Sequence, residues 1–106
     1  MISFEEFKKL DLRIGKIVAV ENHPNADKLY LLKIDIGEEV KQSVAGLKSY
    51  FSPEQLINKS VVVVANLQPS ILRGVESQAM LLAITAGKEV VLLVPEKEVS
   101  PGARVL

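Results

Sequence analysis

The chain has 106 residues, no cysteine and a single histidine, and its 13 Lys plus Arg balance 13 Asp plus Glu to give zero net charge. That length makes one domain, able to bury about 65% of its unfolded surface and to fold without a metal or a disulfide. The missing cysteines exclude disulfide frameworks, thiol catalysis and Cys-based zinc sites, and the balanced charge confines any attraction for an anionic partner to a local patch or to paired copies of a modest site.

The N-terminal "MISFEEFKKLD" carries Glu5, Glu6 and Asp11 and no long apolar run. It is therefore read as neither signal peptide nor membrane span, and a cytoplasmic location is expected. Within it, Ser3 with Glu6 three residues on is a capping box, which predicts a short helix through about Lys9. From Leu12 to Val20 the β-branched content predicts a strand, with Gly15 as a bulge or bend. "ENHPNAD" reads as a loop, and His23 before Pro24 as a loop histidine, without the companions a histidine metal cluster or a Ser-His-Asp arrangement needs. In "KLYLLKIDIG" strict alternation puts Tyr30, Leu32, Ile34 and Ile36 on one face and Lys33 and Asp35 on the other, and Gly37 with Glu38 turns the chain into "VKQSVA".

Between Ala45 and Lys59 the period changes. Ser52 as cap, Pro53 at the first helical position and Gln55 at the third predict a short helix. "SVVVVANL", "AMLLAIT" and "VVLLVP" then read as three further strands, apolar enough to be buried on both faces over part of their length. An all-β domain follows, with three strands, a short helix and two or three more strands. This is the order of a five-stranded OB-fold barrel, whose outer sheet and loops carry oligonucleotides, and spacing alone leaves another small barrel or sandwich equally open.

Residues 66–80, "NLQPSILRGVESQAM", separate two core strands by more chain than a reversal requires. Pro69 and Gly74 stop the strand and turn the chain. Asn66 can pair with a base edge, Arg73 can fork onto phosphate or guanine, and Ser77 and Gln78 can reach a sugar hydroxyl. Met80 offers a polarizable thioether to a base plane, although a methionine beside "LLAIT" is a core residue by default. Alternation along "SQAMLL" sets Ser77 and Met80 on opposite faces, so both serve one ligand only if the strand begins late or bulges.

"DLRIGKI", "HPNADKLYLLKIDIG", "VAGL", "SPEQLINKSVVVVANLQP", "LRGVESQAMLLA" and "PGARV" resemble the tRNA-binding domain family, from about Phe7 to the C-terminus. That family includes the C-terminal appendix of methionyl-tRNA synthetases, stand-alone dimeric tRNA-binding proteins and endothelial-monocyte-activating-polypeptide-like domains. The resemblance implies an OB-fold with a C-terminal extension, here one domain over residues 1–106, a homodimer as in the stand-alone members, and binding to the outer corner of L-shaped tRNA by shape. The apolar "VVLLVP" run and the residues after it are expected to put the dimer contact in the C-terminal third. It implies RNA contacts from Asn66, Arg73, Ser77, Gln78 and Met80, with Lys28 and Lys33 near the phosphates. Ala79 stands where many relatives have glycine, so a methyl group is expected to narrow the approach there.

Met1 is read as the start of the protein, so no catalytic domain is expected before it, and the chain carries no "HIGH"-type or "KMSKS"-type adenylation signature. No enzyme activity of its own, no cofactor and no metal are expected. The expected role is a tRNA-binding auxiliary factor, such as a separately encoded β subunit that works with the catalytic subunit of methionyl-tRNA synthetase. Two other classes compete. One is an export-chaperone-like dimer of the same fold, holding unfolded peptide in an apolar groove. The other is a small enzyme using Asp27 or Glu76 as acid/base, for which no nucleophile or metal set is spaced.

Overall fold

Ser3 opens the first helix, α1 (Phe4–Phe7), by the reciprocal pairing its sequence announces. Its Oγ accepts the Glu6 N–H at 3.1 Å, and the Glu6 carboxylate accepts the Ser3 N–H at 3.2 Å, satisfying two amides that a helix start leaves free. In the computed structural model, which describes residues 1–106, the chain continues through β1 (Leu12–Asn22), β2 (Tyr30–Asp35), β3 (Val40–Ala45) and α2 (Pro53–Leu56). Then come β4 (Ser60–Val64), β5 (Ser70–Leu72), β6 (Val75–Ser77), β7 (Met80–Leu81), β8 (Ala83–Ala86) and β9 (Glu89–Leu92). No helix is long and apolar enough to cross a membrane.

Five strands form one antiparallel sheet in the order β3-β2-β1-β4-β7. It curls into a nearly closed barrel with α2 between β3 and β4, so the OB reading of the sequence is the observed fold. The alternation in β2 is the clearest link from residue to fold. Tyr30, Leu32, Ile34 and Ile36 all enter a buried cluster with Ile17, Leu56, Val61 and Val63, while Lys33 and Asp35 stay on the outer face.

Three expectations are corrected. Gly15 is not the bulge: the register shift in β1 lies between Ile17 and Ala19. Gly15 is instead a place where strands crowd, because a methyl group there would overlap the Ile34 side chain. "AMLLAIT" is not one strand. It breaks into β7, which joins the barrel beside β4, and β8, which pairs only with β9 in a separate two-stranded sheet. Nor are the last strands buried on both faces, since β8 is exposed along its whole length and β9 only half-buried. Apolar content alone cannot distinguish a core strand from one that presents its face outward.

The C-terminal extension closes the other end. β2 pairs with β1 only from Lys16 onward, so the edge at Leu12–Ile14 is open. Residues 102–105 occupy it, through Ile14 N–H to Ala103 O at 2.8 Å, Gly102 N–H to Ile14 O at 2.7 Å and Val105 N–H to Leu12 O at 2.9 Å.

Candidate nucleic-acid interface

The segment at residues 66–80 is a structured projection. β5 and β6 pair as a hairpin in which Leu72 faces Val75, leaving Arg73 and Gly74 as a two-residue turn with φ of 54° and 86°. Positive φ at both central positions is the geometry that matches the twist of a hairpin, and glycine meets it at least cost. The turn lifts the Arg73 side chain into solvent.

This hairpin docks on the loop between β1 and β2. His23, only 6% exposed, bonds through Nε2 to Leu72 O at 2.9 Å and accepts the Asn25 N–H at Nδ1, also at 2.9 Å. Asn25 Nδ2 donates to Arg73 O at 3.2 Å. The same loop carries Lys28, exposed three residues beyond Asn25. His23 lies in a loop, as its place before Pro24 predicts. It is a buried bridge between two loops, and the lone signal for that was an imidazole in a segment otherwise made of turn residues.

Ser77 and Gln78 are committed elsewhere. Where β3 and β7 fail to pair directly, the Ser77 Oγ accepts the Val44 N–H at 3.0 Å, the Gln78 Oε1 accepts the Gln42 N–H at 3.0 Å, and Gln78 N–H donates to Gln42 O at 2.8 Å. Gln42 Nε2 donates to Glu76 O at 2.7 Å, and the Gln42 Oε1 accepts from Lys33 Nζ. These side chains therefore close the barrel with bonds that a sheet ladder would otherwise supply. Lys33 is held on the outer face as the end of that chain of bonds. Gln42, the hub, was not singled out in the sequence, although alternation places it opposite Lys33.

Met80 is not core. It is 53% exposed, while its neighbours Ala79 and Leu81 are buried. The Ala79 methyl group belongs to the core cluster. The strand holding Met80 begins at that residue, after a Gln78–Ala79 step that belongs to no strand, which is the late start required for Ser77 and Met80 to share a site. Both line one cleft of about 270 Å³, whose walls are mainly apolar and include Val44, Leu47, Leu67 and Leu72. Ser43, at the edge of this cleft, has a buried hydroxyl with no hydrogen-bond partner.

Asn66 stands apart from the others. Its Oδ1 accepts the Asp11 N–H at 2.9 Å and its Nδ2 donates to Lys9 O at 2.7 Å, tying β4's exit to the segment after α1. Nearby, the Asp11 carboxylate receives the Arg13 Nε at 2.8 Å, and that hydrogen bond, aided by the charges of Arg13, Arg104 and Lys41, holds Asp11 below the usual carboxylate range. Arg13 is correspondingly raised by its bond to Asp11.

The arrangement matches known proteins. A family model described as "Putative tRNA binding domain" matches residues 12–104. A methionine–tRNA ligase of Pyrococcus furiosus is 64% identical over 98% of this chain, and the match spans 14% of that enzyme. Among solved structures, a MetRS related protein from Pyrococcus horikoshii superposes with a TM-score of 0.92 at 34% identity, covering 100% of this chain and 98% of that one. The chaperone CsaA from Bacillus anthracis superposes with a TM-score of 0.88 at 36% identity, covering 100% and 99%. The chain spans about a seventh of the length of the ligases it matches, and it belongs to the tRNA-binding domain family.

Proposed function

We propose that the chain binds folded tRNA at the outer corner of the L, reading shape more than sequence, and that it raises the local tRNA concentration for a methionyl-tRNA synthetase. The observation that most favours this is the convergence of the β1–β2 loop, the β5–β6 turn and the outer face of β2 and β3, the surfaces with which OB-folds take oligonucleotides. Lys28, Arg73 and Lys33 supply charge from these three places. Met80 supplies an exposed thioether at the cleft. Ser77 and Gln78 complete the proposed surface, and because their polar groups are engaged within the chain, their contribution is mainly to hold it in shape. Asn66 is proposed as a further contact apart from it, with its amide engaged by Asp11 and Lys9.

A homodimer is part of the same proposal. Ile84 on β8, Val91 on β9 and Val94 beyond it are exposed, and β8 and β9 pair only with each other. Such apolar surface on a small domain marks an interface. Catalysis is assigned to the partner synthetase.

Likeness to a chaperone and the apolar walls of the cleft favour a second reading, in which the cleft holds unfolded peptide. Equilibrium binding separates the two. Several unrelated tRNAs should bind within about tenfold of one another and much more tightly than an unstructured RNA of equal length. The log–log salt slope should be about −3 to −4 per site. Equal binding to a homopolymer would make the protein a general single-strand reader, and binding to unfolded peptide without tRNA would favour the chaperone reading.

A further inference from the structure

We infer that His23 is a positioning residue for RNA binding: it locks the β5–β6 turn to the β1–β2 loop, so that Arg73 and Lys28 form one pre-set cationic surface. This rests on the proposed tRNA reading and goes beyond it, because His23 itself touches no RNA.

The hydrogen bonds leave His23 one way to serve both partners. The Asn25 N–H points at Nδ1, so that nitrogen is bare and the proton sits on Nε2, which donates to Leu72 O. One ring thus joins the loop's own backbone to the carbonyl just before the Arg73-Gly74 turn. Asn25, fixed by that first bond, adds a second link by donating to Arg73 O. The His23 N–H is itself tied to Leu29 O at 3.1 Å, across the base of the loop that carries Lys28.

The hairpin needs this clasp. β5 and β6 make a two-stranded sheet of their own, three residues to a strand, and an isolated two-stranded hairpin is marginal in water. Its other anchors to the barrel lie at the far end from the turn, where Glu76, Ser77 and Gln78 meet β3. Released from His23, the turn would sample many positions of Arg73, and binding would then bear the cost of ordering it.

The test is a double-mutant cycle on tRNA binding with Arg73→Ala, His23→Ala and both together, each variant checked by thermal melting. Arg73→Ala should weaken binding about tenfold and lower the salt slope by about one unit. His23→Ala should weaken binding by about three- to tenfold, and the double variant should bind about as well as Arg73→Ala alone, since both act through one contact. His23→Gln, which keeps a donor for Leu72 O, should restore most of the binding. Asn25→Ala, at an exposed position that leaves the core intact, should give a smaller loss with the same non-additivity if His23→Ala fails to fold.

Additive losses from His23→Ala and Arg73→Ala, or from Asn25→Ala and Arg73→Ala where His23→Ala does not fold, would overturn the inference. So would parental affinity in a folded His23→Ala protein while Arg73→Ala is impaired. In either of those cases tRNA binding itself stands. A parent that fails to prefer tRNA over unstructured RNA would remove both readings.

Discussion

Lys33 and Met80 illustrate how two side chains of one proposed surface separate by the physics they contribute. Lys33 is a point charge, held in place by Gln42, so Lys33→Ala should weaken binding to all tRNAs by a similar modest factor and flatten the salt slope by about one unit. Met80 carries no charge. Stacking of its thioether on an exposed base predicts that Met80→Ala costs about 1–3 kcal/mol of binding with the slope unchanged. Its exposure gives the variant a second signature, because truncating a side chain that is 53% exposed leaves no core cavity and should leave the melting temperature within error of the parent. A Met80→Ala protein that melts early would return this residue to the core. Titration at two salt concentrations with a parallel melt decides both points.

At the scale of elements, the strands facing the core were legible in the sequence because a period of two is an unambiguous signal. Tyr30, Leu32, Ile34 and Ile36 fell where alternation put them. The Ser3–Glu6 capping box was legible because it is local. The barrel seam was not, since its closure by Ser77 and Gln78 side chains depends on which strand edge lies opposite. Residues expected to reach a sugar hydroxyl also stand in for a missing ladder. Ser77→Ala should leave the Val44 N–H unpaired and cost about 1–3 kcal/mol of stability in urea unfolding. A variant with parental stability and lost tRNA binding would instead make Ser77 a direct contact. The end of the barrel near α1 carries a pH signature. The bond from Arg13 lowers the folded-state pKa of Asp11, so its stabilisation is fully present above the ordinary carboxylate value of about 3.9 and is lost as pH falls through the lower folded value. The stability gap between the parent and Asp11→Asn should therefore be constant from neutral pH down to about 4 and close below it.

For the whole molecule, zero net charge and a tRNA-binding family have to be reconciled. One barrel with three candidate cations, Lys28, Lys33 and Arg73, neutralises few phosphates, and its affinity at physiological salt is bounded accordingly. Two copies on a single two-fold axis would double that charge without any new side chain, and linked sites gain effective concentration if the spacing lets one RNA meet both. The proposed contact uses the apolar strands: the exposed Ile84 and Val91 lie on the β8–β9 hairpin, a different element from the loop and turn that hold Lys28 and Arg73. An isologous contact through this hairpin should make the protein sediment as a dimer at micromolar concentration. A Val91→Lys variant, placing like charges across the axis, should sediment as a monomer while each barrel keeps its fold. If dimerisation serves RNA binding by bringing two modest sites together, the monomer should retain the per-site salt slope and lose overall affinity. A parent that is already monomeric would remove the dimer. A monomeric Val91→Lys that binds tRNA with undiminished affinity would show that one barrel is the complete binding unit.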